Sequence, residues 1–345
     1  MAATESFRQW LLDSLASGGG AAFRWLKADQ QVVEAVAGSQ HPQAEVEEVA
    51  KQWGGIWLAS TGANPWSNPP AWMVDLKKDA AAAASELPPI TASQCMEVAR
   101  RSSHRAGPGL DRFRVAQWHL LPRDGFREMA RLLSACEQEG AWPFQLLAVG
   151  MAKLPKPTGG HRLVALTMAL YTMWSAVRGQ DAAEWEAEHS RTAFWDRAIR
   201  GSRALRGALV RECRAELASL LGASCSEILW DIEKFYDHMV FEQVVLLARK
   251  LGYPLLHLWL SLAMHTAARS VQDGGICSEW QLPGRSLLAG DGQSIRLTKC
   301  YLHDVLQSVH DACRPVASVT SWIEDLQQMG VQSQCSDREG WRHHR

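Results

Sequence analysis

A chain of 345 residues, 47% of them apolar, can bury one large core or two smaller ones and is no disordered tail. Its formal net charge of −1 hides a basic stretch: between Arg197 and Arg214 stand also Arg200, Arg203, Arg206 and Arg211, against the single acid Glu212, so a polyanionic partner is not excluded. Met1 to Leu12 lacks the apolar run of a signal peptide, and no later segment is long and apolar enough to span a bilayer. An intracellular protein, nuclear or cytoplasmic and without a membrane partner, is expected. The eight cysteines are scattered singly with no zinc spacing, which predicts reduced, mostly buried thiols.

In chain order, the text from Ser6 to about Ala59 is helical, broken at Gly18-Gly19-Gly20, with Val46, Val49, Trp53 and Trp57 recurring on one face. Thr61 to Trp72 is a loop rich in Pro, Asn and Gly, and Lys77 to Glu86 is an Ala-rich helical linker. A boundary is expected near Leu87, so that residues 1–86 form a helical leader. Beyond it, Thr91 or Ser93 caps a helix, HRAGPGLDRF is a turn-forming run, and a helix from about Gly125 to Glu139 ends before Trp142-Pro143. Two short apolar runs flank PKPTGGH as a β-hairpin. Helices follow over Ala169 to Glu188 and Arg203 to Leu221. A strand then ends ILW and meets Asp231, a helix reads FEQVVLLARKLG, and a last strand reads ASVTSWI. The sixteen tryptophans are first of all core anchors, with base stacking open to a few.

Two acidic clusters close apolar strands: Asp231, and Glu324 with Asp325. Taken alone, acids at a strand end are more often turn formers or helix caps than ligands. If the strands lie side by side, three carboxylates converge as a hard-oxygen site suited to Mg²⁺ rather than zinc. Two such ions about 3.5–4 Å apart serve in-line phosphoryl displacement.

AGPGLD (Ala106 to Asp111), LPKPTGGHRLVAL (Leu154 to Leu166), DIEKFYDH (Asp231 to His238), GRSLLAGDGQSIRLTK (Gly284 to Lys299) and SWIEDL (Ser321 to Leu326) stand in that order. Together they resemble the motifs of reverse transcriptases of non-LTR retrotransposons and group II introns. The resemblance implies an α+β fold: the fingers and partial palm of a right-hand polymerase, a short antiparallel sheet packed on helices over residues 87–345. It implies RNA-directed DNA synthesis with two Mg²⁺ ions, an RNA template, a DNA primer and deoxynucleoside triphosphates.

Residue by residue, the resemblance makes Asp231 and Asp325 metal ligands, with the backbone carbonyl of Ile232 as another and Glu324 as the third catalytic acid. Tyr236 takes the place that closes against the 2′ side of the incoming sugar. Lys156 and Arg162 match basic fingers residues that reach the triphosphate, on a hairpin given slack by Gly159-Gly160. Gly290, Gly292 and Ser294 would let a template or primer approach the backbone, Gln293 would read a groove edge, and Arg296 and Lys299 would follow phosphates. A Gly-Gln-Ser turn is equally a helix start, and loop cations are equally a solvated surface.

Departures are visible. Glu324 replaces the family's first Asp, displacing a carboxylate by roughly 1 Å, and Trp322 replaces Tyr or Phe. Only twenty residues follow Asp325, so no thumb is expected and activity is expected to be impaired. Two other functions stay open: a non-catalytic nucleic-acid-binding remnant, and a helical interaction protein whose motif matches are accidental.

Overall fold

The computed structural model describes residues 2–16, 41–58, 64–156, 159–199, 201–230, 232–313, 317–322 and 325–332. In chain order these form α1 (Ala2–Ala16), α2 (Pro42–Leu58), α3 (Ala71–Ala84), α4 (Ala92–Arg101), α5 (Arg123–Glu139), β1 (Ala148–Pro155), β2 (His161–Leu166) and α6 (Ala169–Thr192). There follow α7 (Ala204–Leu220), β3 (Ser224–Trp230), α8 (Phe241–Lys250), α9 (Leu255–His265), β4 (Ala268–Asp273), β5 (Ile276–Cys277), α10 (Ser294–Cys313), β6 (Ala317–Trp322) and β7 (Asp325–Gln332).

Contacts divide the chain into a larger unit, Gly38–Thr192 with Glu233–His303, and a smaller one, Met1–Ala37 with Ala193–Ile232 and Asp304–Arg345. This differs from a leader ending at residue 86. Helices α2 and α3 belong to the larger unit because their apolar faces, with Trp53, Trp57, Met73 and Leu76, are buried within it.

The larger unit is built on α9, whose residues from Leu256 to His265 are all buried. A helix apolar all round must be surrounded by other elements, and this one carries His257, Ser261 and His265 inside with it. Aromatic anchors pack around it: Trp142 meets Trp174 and Tyr171 edge-on, at ring separations of 5.2 and 5.5 Å. Local signals set the helix ends. Thr91 caps α4 by accepting from the Gln94 amide at 3.2 Å while the Gln94 side chain accepts from the Thr91 amide at 2.9 Å, a reciprocal arrangement worth about 1 kcal/mol. Gly140, left-handed at φ +59°, ends α5.

The sheet of this unit runs β2-β1-β4-β5. As expected, β1 and β2 form an antiparallel hairpin, registered from Gly150 against Leu166 to Pro155 against His161. The sheet is mixed rather than antiparallel, because β4 returns beside β1 in parallel, with Ala148 opposite Ala268. A parallel neighbour needs a long crossover, and α6 lies within the connection. The smaller unit holds α1, α7 and an antiparallel sheet in the order β3-β7-β6. Its edge strand β6 is extended by the backbone around Asp196, where the Ser321 amide donates to the Trp195 carbonyl at 2.8 Å and the Arg197 amide to the Ser321 carbonyl at 2.8 Å.

Candidate functional site

Asp231 and Glu324 lie outside the described residues, and for Asp325 the backbone is described. That backbone is informative. Strand β7 begins at Asp325, which pairs with Trp322, the last residue of β6. Its next residue, Leu326, lies opposite Trp230, the last residue of β3. The end of β3 that precedes residue 231 and the start of β7 at Asp325 are therefore neighbours in one sheet, although far apart in sequence. Among the described residues, no group of three or more His, Cys, Asp or Glu side chains is placed to hold a metal ion.

In the larger unit, Lys156 follows β1 at the hairpin turn, where its amide donates to the Gly160 carbonyl at 3.0 Å. Gly160 is left-handed at φ +76°, which closes the turn without a side-chain clash. Arg162 sits on β2 opposite Leu154, exposed, while its neighbours Leu163 and Ala165 point inward. Both cations thus stand at one end of the hairpin. Tyr236, half-buried, occupies a short 3-10 turn, Phe235–His238, and its carbonyl accepts from the Leu287 amide at 2.9 Å.

The Gly-rich turn is placed differently from the expectation of a nucleic-acid surface. Gln293 is fully buried, accepting from the Tyr253 hydroxyl at 2.7 Å and donating to the Ser175 carbonyl at 3.2 Å. Its amide is spent inside the core and presents no edge to a base. Ser294, also buried, donates to the Leu288 carbonyl at 2.7 Å. A Cβ on Gly290 would stand 3.1 Å from the Ala165 carbonyl oxygen, and one on Gly292 would stand 3.0 Å from the Ser175 hydroxyl. The close approach these glycines permit is that of β2 and α6. Arg296 and Lys299 converge on Glu186 of α6, at 3.3 and 2.5 Å, and Lys299 is 3% exposed on its side chain. Neither is a free phosphate-following cation, because each is held by a carboxylate on the neighbouring helix.

Beside this turn lies a buried carboxylate. Asp291 accepts from the Gln293 amide at 3.0 Å and from the Ser175 hydroxyl at 3.4 Å, yet burial outweighs these bonds and pushes its pKa up to about 6. His265 approaches it to 3.6 Å through Nε2. The other ring nitrogen accepts from the Leu288 amide at 3.2 Å, which assigns the proton to Nε2. Burial first, then Arg269, push His265 down to about 3. The Tyr171 hydroxyl faces both Asp291 and Ser261 and, with the other donors, works against the rise in the Asp291 pKa.

AGPGLD has a structural task that sequence reasoning missed. Asp111 accepts from the Ala169 amide at 2.8 Å, satisfying a free donor at the start of α6. Gly109 lies so near that a Cβ would stand 2.3 Å from the Thr167 carbonyl oxygen. The bulk-free residue and the acid at that spacing were the available signal.

The arginine series of the smaller unit does not follow one helix, because α7 starts only after Arg203, beyond the left-handed Gly201 at φ +87°. Arg203 donates to the Ala16 carbonyl at 2.5 Å, and Arg211 pairs with Glu212 at 2.8 Å. Arg197, Arg206 and Arg214 are exposed. Of the cysteines, Cys95, Cys136 and Cys300 are buried free thiols, whereas Cys213 and Cys277 are exposed. No described helix is long and apolar enough to cross a membrane.

No protein-family model matches the chain, and no curated protein matches it. Among solved structures, apo telomerase from Candida tropicalis, truncated from its C-terminal domain, is similar at 9% sequence identity with a TM-score of 0.41. The alignment covers 61% of this chain and 49% of that one, so the chain spans about half the length of this neighbour.

Proposed function

We propose that this chain is an RNA-directed DNA polymerase domain of the non-LTR retroelement type, in which Asp231 and Asp325 hold two Mg²⁺ ions with the Ile232 carbonyl. The observation that carries the reading is the register of the smaller sheet: the β3 end before residue 231 adjoins the β7 start at Asp325. Strand ends so paired suit a shared hard-oxygen site. When bound, the two ions would activate a primer 3′-hydroxyl and stabilise the departing pyrophosphate. In this reading Lys156 and Arg162 meet the triphosphate of an incoming deoxynucleotide, and Tyr236 excludes a 2′-hydroxyl. Glu324 takes the third acidic place, where its extra methylene slows the reaction.

The test is Mg²⁺-dependent extension of a DNA primer on an RNA template. Asp231→Asn is expected to abolish extension by removing a charged ligand, and Glu324→Asp to raise the rate by about tenfold to a hundredfold. Equal extension by Asp231→Asn removes the basis of the reading.

A non-catalytic nucleic-acid-binding domain is the second reading, favoured by the exposed Arg197, Arg206 and Arg214 of the smaller unit. Its signature would be RNA binding that weakens steeply with salt, at the exposed arginines of the smaller unit, with no extension by any variant.

A further inference from the structure

Three non-glycine residues in the larger unit hold left-handed backbone, Arg112 and, near one turn, Lys234 at φ +48° and Ser286 at φ +101°. Such conformations cost about 1–3 kcal/mol each and persist only where surroundings fix them. The last two border the Phe235–His238 turn, Lys234 by sequence and Ser286 by hydrogen bonding, since the Ser286 amide donates to the Met239 carbonyl at 2.8 Å and the Leu287 amide to the Tyr236 carbonyl at 2.9 Å.

What fixes them comes from α2. The Trp57 indole donates to Asp237 Oδ1 at 2.8 Å and the Trp53 indole to Asp237 Oδ2 at 3.3 Å. Lys234 lies over the Trp53 ring at 4.9 Å, and the guanidinium of buried Arg269 lies over the Trp57 ring at 4.7 Å. Arg269 in turn donates to the Ser286 hydroxyl at 2.8 Å and to the Ser286 carbonyl at 2.9 Å. The segment leading to Ser286 is laced along the same helix: Gln281 donates to the Ala50 carbonyl at 2.9 Å, and the Gly284 amide to the Trp57 carbonyl at 3.0 Å. Helix α2, Ser286 and the turn are thus one hydrogen-bonded body.

We propose that α2 is a positioning element for the Phe235–His238 turn, with Trp57 and Trp53 acting through Asp237 to hold Tyr236 in a backbone shape that the turn does not keep unaided. The indole N–H groups and the ring faces do separate work, so Trp57→Phe removes the donor and keeps the face toward Arg269. Describing Tyr236 as nucleotide-facing rests on the polymerase reading; the mechanical coupling does not.

Amide hydrogen exchange on the whole chain tests the coupling. Trp57→Phe and Asp237→Ala are each expected to speed exchange at the position-237 and Leu287 amides by about tenfold or more, the loss of at least one charge-assisted hydrogen bond, while α5 amides keep their rates. The double variant should be no faster than the more severe single one, because both remove the same bond. Trp53→Phe, which loses the longer bond, should give the same pattern to a smaller extent and serves if Trp57→Phe does not fold. Unchanged rates at the turn, or equal acceleration in α5, would overturn the proposal. A second arm reads primer extension, where Trp57→Phe is expected to reduce the preference for deoxynucleotides over ribonucleotides. If no variant extends a primer, the polymerase reading fails and the exchange arm still decides the coupling.

Discussion

At the scale of single residues, the larger unit buries one ion pair whose hydrogen-bonding groups are closely matched. Arg178, 1% exposed on its side chain, donates to both oxygens of buried Glu137, at 2.7 Å from Nε and 2.6 Å from a terminal nitrogen. It also pairs with Asp181 at 2.9 Å and donates to the Pro88 carbonyl at 2.9 Å, while the Trp174 indole donates to Glu137 at 2.8 Å. Removing one partner of such a pair strands the other in low dielectric, which costs about 3–5 kcal/mol. Arg178→Met is therefore expected to lower stability by that amount in urea unfolding, and Arg178→Met with Glu137→Leu to recover most of it. Equal losses in single and double variants would show that packing, not charge, sets the cost. A second readout is His257, which burial and Arg178 hold at about 4. Its pKa should rise in Arg178→Met when followed by NMR.

Elements were legible where a local pattern decides them. Thr91 and Gln94 have the spacing of a reciprocal cap, PKPTGGH carries the glycines of a tight hairpin, and an apolar run ending at an acid marks both β3 and β6. What the sequence concealed was tertiary. Nothing local says that β4 returns parallel to β1, nor that the two indoles of α2 seek Asp237. The Gly-Gln-Ser turn shows why the site was read only in part: glycine admits a close approach by anything, and here that partner is β2 and α6. A glutamine that reads a base and one that braces a core look alike in sequence. The structural role predicts that Gln293→Leu costs about 1–3 kcal/mol, since it strands the Tyr253 hydroxyl and the Ser175 carbonyl. Unchanged thermal stability combined with weaker RNA binding would reverse this assignment.

For the molecule as a whole, buried titratable groups make stability depend on pH in opposing directions. His257 and His265 have folded pKa values of about 4 and about 3, below the ordinary 6.5. At pH 5 the unfolded chain binds two more protons at these sites than the folded one, so their contribution is full above pH 6.5 and is lost as pH falls toward 4 and 3. Asp291 acts in reverse. Its folded pKa of about 6 exceeds the ordinary 3.8, so it holds its proton at pH 5 only when folded, and its penalty grows as pH rises from 4 to 6. Two protons less one leaves a net of one, which predicts that these three groups make stability rise with pH by about 1.4 kcal/mol per unit near pH 5. Asp291→Asn removes the opposing term. Relative to the parent chain, the variant should gain about 3 kcal/mol between pH 4 and pH 7, because a neutral amide accepts the Gln293 amide without the cost of a buried charge. Taking the difference at each pH cancels the exposed carboxylates common to both chains. Urea midpoints measured by tryptophan fluorescence from pH 4 to pH 7 give that difference directly, and a value independent of pH would mean that Asp291 is ionised throughout, its charge stabilised by His265 and the surrounding donors.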